Sequence, residues 1–132
     1  MTQRGTLVAV TVAALLGGAV AAVVAQNNMD KVEIKTEKLA GNVWVLYGAG
    51  GNIGLCAGAD GAVLVDDEFA PLSAKIQAAV KQAGDQPVRW VINTHWHGDH
   101  VGGNENMATA GATIVAQDRV RARMLEGQDN KY

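Results

Sequence analysis

All three histidines of this chain fall within six residues, His95-Trp96-His97-Gly98-Asp99-His100. Protonated imidazoles crowded in this way repel one another, and neutral ones compete for donors. A divalent metal resolves both conflicts, because neutral imidazole nitrogens and a carboxylate are donors that zinc prefers. The residues just before the cluster, Val88–Asn93, read as a strand that delivers the chain into it. Side chains two apart share a face, so His95 and His97 can point to one side. Gly98 allows a sharp turn, after which Asp99 and His100 emerge in another direction. Gly102-Gly103 permit close backbone approach. One short loop can thus feed two adjacent metal positions. Asp66, at the end of an earlier apolar run, is a candidate acceptor for the outer nitrogen of a ligating histidine.

The N-terminus carries a different signal. Residues 7–25 are almost wholly apolar, preceded by Arg4 and followed by Gln26-Asn27-Asn28. Val23 and Ala25 stand where a signal peptidase accepts small residues, which predicts a signal peptide over residues 1–25 and a cut before Gln26. The alternative is an uncleaved membrane anchor over residues 7–25, a length that can span a bilayer. The expected location is periplasmic or secreted, and membrane contact is expected only if the leader stays. The 11 Lys and Arg against 13 Asp and Glu give a net charge of −2, which becomes −3 when Arg4 leaves with the leader. That balance gives no electrostatic case for a nucleic-acid partner. Cys56 is the single cysteine, so no disulfide forms within the chain. It reads as a small buried side chain in a strand.

Hydrophobic patterning predicts mixed α and β structure beyond the leader. Val32, Ile34 and Thr36 alternate with charged residues as in a half-exposed strand. Residues 43–47 form a β-rich run, broken by Gly48-Ala49-Gly50-Gly51. That glycine run lacks the spacing of a nucleotide-binding loop and reads as a turn. Residues 53–59 and 62–65 read as a hairpin closed at Asp60-Gly61. Pro71 opens a helix whose apolar positions are Leu72, Ile76, Ala79, Val80 and Ala83, with Gly84 at its end. A short helix over 104–110, a strand over 112–116 and a last helix from an Asp118 cap to Glu126 complete the pattern. Glu105, Asp118 and Glu126 read as solvated charges or caps. Arg119, Arg121 and Arg123 read as a solvated basic face.

The motif His95-x-His97-x-Asp99-His100, preceded by a strand and followed by Gly102-Gly103-Asn104, resembles the signature of the metallo-β-lactamase-fold hydrolases. Gly50-Gly51-Asn52-Ile53 and Val63-Leu64-Val65-Asp66-Asp67 resemble that superfamily's early hairpins and its first motif aspartate. The resemblance implies an α+β fold, the αββα sandwich, with metals at one edge. It implies that His95 and His97 bind one Zn2+ and that Asp99 and His100 bind a second. Asp99 would also handle a proton as a catalytic residue, and Asp66 would support the ligands from outside. A metal-bound hydroxide would attack an ester, thioester, amide or lactam carbonyl of a small-molecule substrate. Trp96 falls at a variable position and reads as a wall or packing residue.

Such two-metal hydrolases also use a further histidine, a bridging aspartate and a last histidine from the second half of the fold. No histidine follows His100 here. The expectation is therefore the N-terminal half of the fold over residues 26–132, with weak or partial metal binding. One sheet face would lack its partner, an opening for self-association. The alternative function is a catalytically silent metal-binding fragment or interaction module.

Overall fold

Residues 35–65 form a four-strand antiparallel meander in the computed structural model, which describes residues 29–126. The expected leader over residues 1–25, with its expected processing site, lies outside the described residues. The meander comprises β1 (Lys35–Ala40), β2 (Val43–Tyr47), β3 (Ile53–Gly58) and β4 (Gly61–Val65). A single 3-10 turn at Ala70–Leu72 then leads into α1 (Ser73–Gly84). The chain returns as β5 (Val88–Asn93), makes two short helices, α2 (Gly98–Val101) and α3 (Asn104–Thr109), and continues as β6 (Thr113–Ala116) and α4 (Asp118–Leu125). The six strands lie in one sheet in sequence order. β4, β5 and β6 run parallel, so each link between them must cross over through helix.

Alternation along the strands decides which face is covered. Ile53, Leu55 and Ala57 of β3, Ala62 and Leu64 of β4, and Val91 of β5 are buried. Leu72 of the 3-10 turn, Ile76 and Val80 of α1, and Met107 of α3 are buried as well. Each large side chain removed from water here contributes about 1.5–3 kcal/mol. Among the described residues, no element covers the opposite face. Val65, Ile92 and Val115 align across β4, β5 and β6, and they are 37%, 41% and 44% exposed. Trp90 stands on the same face, paired with Val63. This is a helix-covered sheet with one uncovered apolar side, part of an α+β sandwich.

Several expectations are corrected. The first strand begins at Lys35, so Val32 and Ile34 precede it, and the Val32 carbonyl instead accepts from Lys75 Nζ at 2.7 Å. The β3–β4 turn uses Ala59 and Asp60, because Gly58 pairs with Gly61, and Gly61 alone of these takes a positive φ of 121°. Cys56 is exposed, because it points to the uncovered face. Gln117 caps α4 through Oε1, which accepts from Arg119 N–H at 2.6 Å, and Asp118 is the first helical residue. Gly84 is the last residue of α1 as expected, and the left-handed cap beyond it is Asp85, with φ 50° and ψ 32°.

Candidate metal centre

Parallel pairing puts the ends of β4 and β5 at one edge of the sheet, and β2 ends there too, because it is antiparallel to β3. Asp66 follows β4 and Thr94 follows β5. Asp66 adopts a positive φ of 66°, donates its N–H to the Ile92 carbonyl at 3.0 Å and is 3% exposed. Its carboxylate turns toward the histidine loop. Oδ1 accepts from Thr94 N–H at 2.8 Å, and Oδ2 accepts from Thr94 Oγ1 at 2.7 Å. His100 Nδ1 also lies 2.7 Å from Oδ2.

These bonds assign the imidazole tautomers. A carboxylate only accepts, so His100 Nδ1 carries the proton. Thr94 gives its hydroxyl proton to Asp66, so its oxygen accepts from His95 Nδ1, 3.0 Å away. In the neutral ring this arrangement leaves the lone pair on Nε2, the form in which histidine binds metal. One carboxylate thus orients two histidines, His100 directly and His95 through Thr94.

The histidine loop folds as an extended segment followed by one turn of helix. His97, with φ −67° and ψ 147°, caps α2, and its carbonyl accepts from His100 N–H at 2.9 Å. The rings converge. The centroid of His95 lies 4.8 Å from that of His97 and 3.9 Å from that of His100. Asp99 Oδ2 is 3.4 Å from His100 Nε2. Donor atoms of Asp66, His95 and His100 lie within 4.8 Å of one another. His97 and Asp99 flank this group. His95 and His100, which the resemblance assigns to different metals, are thus the closer pair of rings. Trp96 packs against the His97 ring at 4.8 Å, and the Arg123 guanidinium lies 5.9 Å from the Trp96 ring centroid. Arg123 is therefore associated with an aromatic wall of the site in addition to being exposed.

The backbone behind the cluster is tied to the acids after β4. Asp67 donates its N–H to the His100 carbonyl at 3.0 Å, and its Oδ1 accepts from Gly103 N–H at 3.0 Å. Gly103 must be glycine, because a Cβ there would lie 2.7 Å from the Asp67 carbonyl oxygen. Asn93 Nδ2 donates to the His100 carbonyl at 3.3 Å, and Asn104 Nδ2 donates to Asn93 Oδ1 at 2.9 Å. Burial pushes the Asp67 carboxyl up to about 7; the Gly103 N–H opposes this, and the Asp66 charge adds to it. Glu68 is also fully buried, and burial raises its carboxyl above the ordinary range against the pull of the Ala49, Gly50 and Gly48 N–H groups. Sequence reasoning gave Asp67 little weight and passed over Glu68, Thr94 and Asn93. The available signal was the unbroken acid run Asp66-Asp67-Glu68 between a buried strand and a helix.

The residues present fit a divalent cation. Two imidazoles oriented through Nδ1, a third imidazole and a carboxylate at one sheet edge form the N and O donor set of a transition metal.

Residues 40–129 match the family model of the metallo-beta-lactamase superfamily, and the chain belongs to it. Among solved structures it is similar to a B3 metallo-beta-lactamase with an active-site glutamic acid, at 30% identity and TM-score 0.60, covering 66% of this chain and 34% of that one. A metallo-beta-lactamase from Hirschia baltica shares 26% identity at TM-score 0.65, covering 71% of this chain and 48% of that one. FIM-1 from Pseudomonas aeruginosa, solved in a mono-zinc form, shows likeness of fold at 22% identity and TM-score 0.65, covering 72% of this chain and 46% of that one. The chain spans less than half the length of each of these relatives. No curated protein sequence matches it significantly.

Proposed function

We propose that this chain carries the metal-holding part of an exported, zinc-dependent hydrolase acting on an ester, thioester, amide or lactam carbonyl. The approach of the His95, His97 and His100 rings, with Asp99 Oδ2 beside His100 Nε2, carries this reading. His95 and His97 would hold one metal, and Asp99 and His100 a second. Asp66 acts from outside, because both of its oxygens are occupied by Thr94 and His100. Bound zinc supplies a Lewis acid and makes water acidic enough to be a nucleophile near neutral pH. Asp99, the more exposed carboxylate at 39%, would take or return a proton. Trp96 shields one side of the His97 ring.

A metal-binding unit without turnover is the second reading. Among the described residues, the four assigned donors shared between two metals would give each two, whereas catalytic zinc usually keeps three protein ligands. The uncovered strand face supports self-association, and the apolar stretch over residues 7–25 supports export, with a mature chain beginning at Gln26.

Metal titration separates these readings. Zinc affinity is expected to fall at least ~100-fold in His95→Ala and His97→Ala, beyond the loss typical of an outer partner. Cys56→Ser is expected to bind zinc as the parent chain does. Unchanged affinity in both histidine variants would overturn the ligand assignment. Zinc-dependent turnover of a cephalosporin, ester or thioester supports the hydrolase; metal binding with no turnover of any supports the silent unit.

A further inference from the structure

The turn between β2 and β3, residues 48–51, runs along the Asp99 and His100 side of the centre. A Cβ on Gly50 would lie 2.7 Å from Asp99 Cβ, and one on Gly51 would overlap the His100 ring. The turn itself is mostly exposed and contributes no large apolar side chain to the core. Its anchor comes from elsewhere. The Glu68 side chain is completely buried, and Oε2 accepts from Ala49 N–H at 3.0 Å. Gly48 leaves the space for that carboxylate, because a Cβ there would stand 2.5 Å from both oxygens. The backbone of Glu68 faces the other way, and its carbonyl accepts from Gly103 N–H at 3.0 Å, three residues beyond His100. Glu68 also holds a left-handed φ of 55°, a costly conformation for a residue with a Cβ. One residue therefore grips both segments that border the His100 ring.

We propose that Glu68 is a positioning residue, whose buried carboxylate fastens the glycine turn 48–51 against Asp99 and His100 and makes that turn a wall of the metal centre. The proposal rests on the metal-centre reading above. An apolar side chain would fill the same space without burying a charge-bearing group. What the carboxylate adds is a fixed acceptor for a turn that must approach within contact of the His100 ring. Glycine at 50 and 51 lets it do so.

Amide exchange and cobalt(II) binding on the 132-residue chain test this. In the parent chain the Ala49 amide, although in an exposed turn, exchanges at least ~10-fold more slowly than an unstructured amide. Glu68→Ala removes that protection while the β3 and β4 amides stay protected, weakens cobalt binding ~10-fold or more, and alters the visible spectrum of the bound ion. Glu68→Gln, which keeps an acceptor oxygen, restores both protection and spectrum. Gly51→Ala leaves Glu68 intact and shifts the same spectrum by displacing His100. An unprotected Ala49 amide in the parent overturns the proposal. So does a folded Glu68→Ala that loses stability or Ala49 protection but keeps the parent affinity and spectrum, for that is a structural staple only. If the parent binds no cobalt, the metal-centre reading fails instead. Positioning is then read from the His100 ring resonances, which must move in Glu68→Ala and return in Glu68→Gln.

Discussion

Asp66 Oδ2 receives both the Thr94 hydroxyl and His100 Nδ1 at 2.7 Å, so one oxygen sets the orientation of two imidazoles. Asp66→Asn keeps the size but supplies only one acceptor oxygen for the donors that now share two. Zinc affinity is expected to drop about 10–100-fold, the range for outer partners of ligating histidines. Denaturant unfolding of the metal-free variant is expected to show a loss of about 2–4 kcal/mol, as hydrogen bonds to a charged acceptor disappear from a buried site. Thr94→Val, which cuts only the branch to His95, is expected to lose less of both.

Asp67 makes metal-free stability depend on pH. Its folded carboxyl titrates at about 7 against an ordinary value of 3.8. Between those values the folded chain binds more protons than the unfolded one, so stability falls as pH rises. The contribution is complete below the ordinary value and is lost as pH passes through 7. Raised titration of Glu68 acts in the same direction. Urea unfolding with a chelator present is expected to show higher stability at pH 4.5 than at pH 7.5. Asp67→Asn, which cannot ionise and keeps an acceptor for Gly103, is expected to flatten most of that slope.

The uncovered strand face is expected to drive concentration-dependent association. Ile92 sits at its centre, between Val65 and Val115. Ile92→Lys places a charge there without touching the helix-packed core, so stability is expected to change by no more than about 0.5 kcal/mol. Sedimentation velocity checks the result: the parent forms larger species as concentration rises, and the variant does so less.

At the far end of the sheet, Asp85 ends α1 in the left-handed region, with its N–H donating to the Lys81 carbonyl at 2.8 Å. Glycine takes that conformation without a Cβ penalty. Asp85→Gly is expected to stabilise the chain by about 0.5 kcal/mol in thermal or denaturant unfolding, with metal affinity unchanged.

Much of the scaffold was legible because its signals are local. β2, β5, the body of α1 and α3 lie where apolar spacing puts them, though Pro71 opens a 3-10 turn ahead of α1, and the histidine cluster stands directly after a strand as expected. What escaped depends on partners distant in sequence. Cys56 looked like a core residue, since nothing in its own strand says that only one face is covered. The alternation at Val32 and Ile34 resembles a strand, yet the pairing with β2 starts at Lys35. The convergence of His95 with His100 needed the one-turn helix α2, too short to leave a periodic pattern. Glu68 was invisible as a functional candidate because its partner, Ala49, is 19 residues away and contributes only a backbone N–H.

The tripeptide Asp66-Asp67-Glu68 assigns each of its carboxylates to a different neighbour: Asp66 to Thr94 and His100, Asp67 to Gly103, and Glu68 to Ala49. Such a stretch has no spare register. Deleting or inserting one residue would hand every acid its neighbour's task at the wrong angle. Length variation among descendants of this sequence should therefore collect at the opposite rim, around Gln86 and Gly111, and spare the junction after β4.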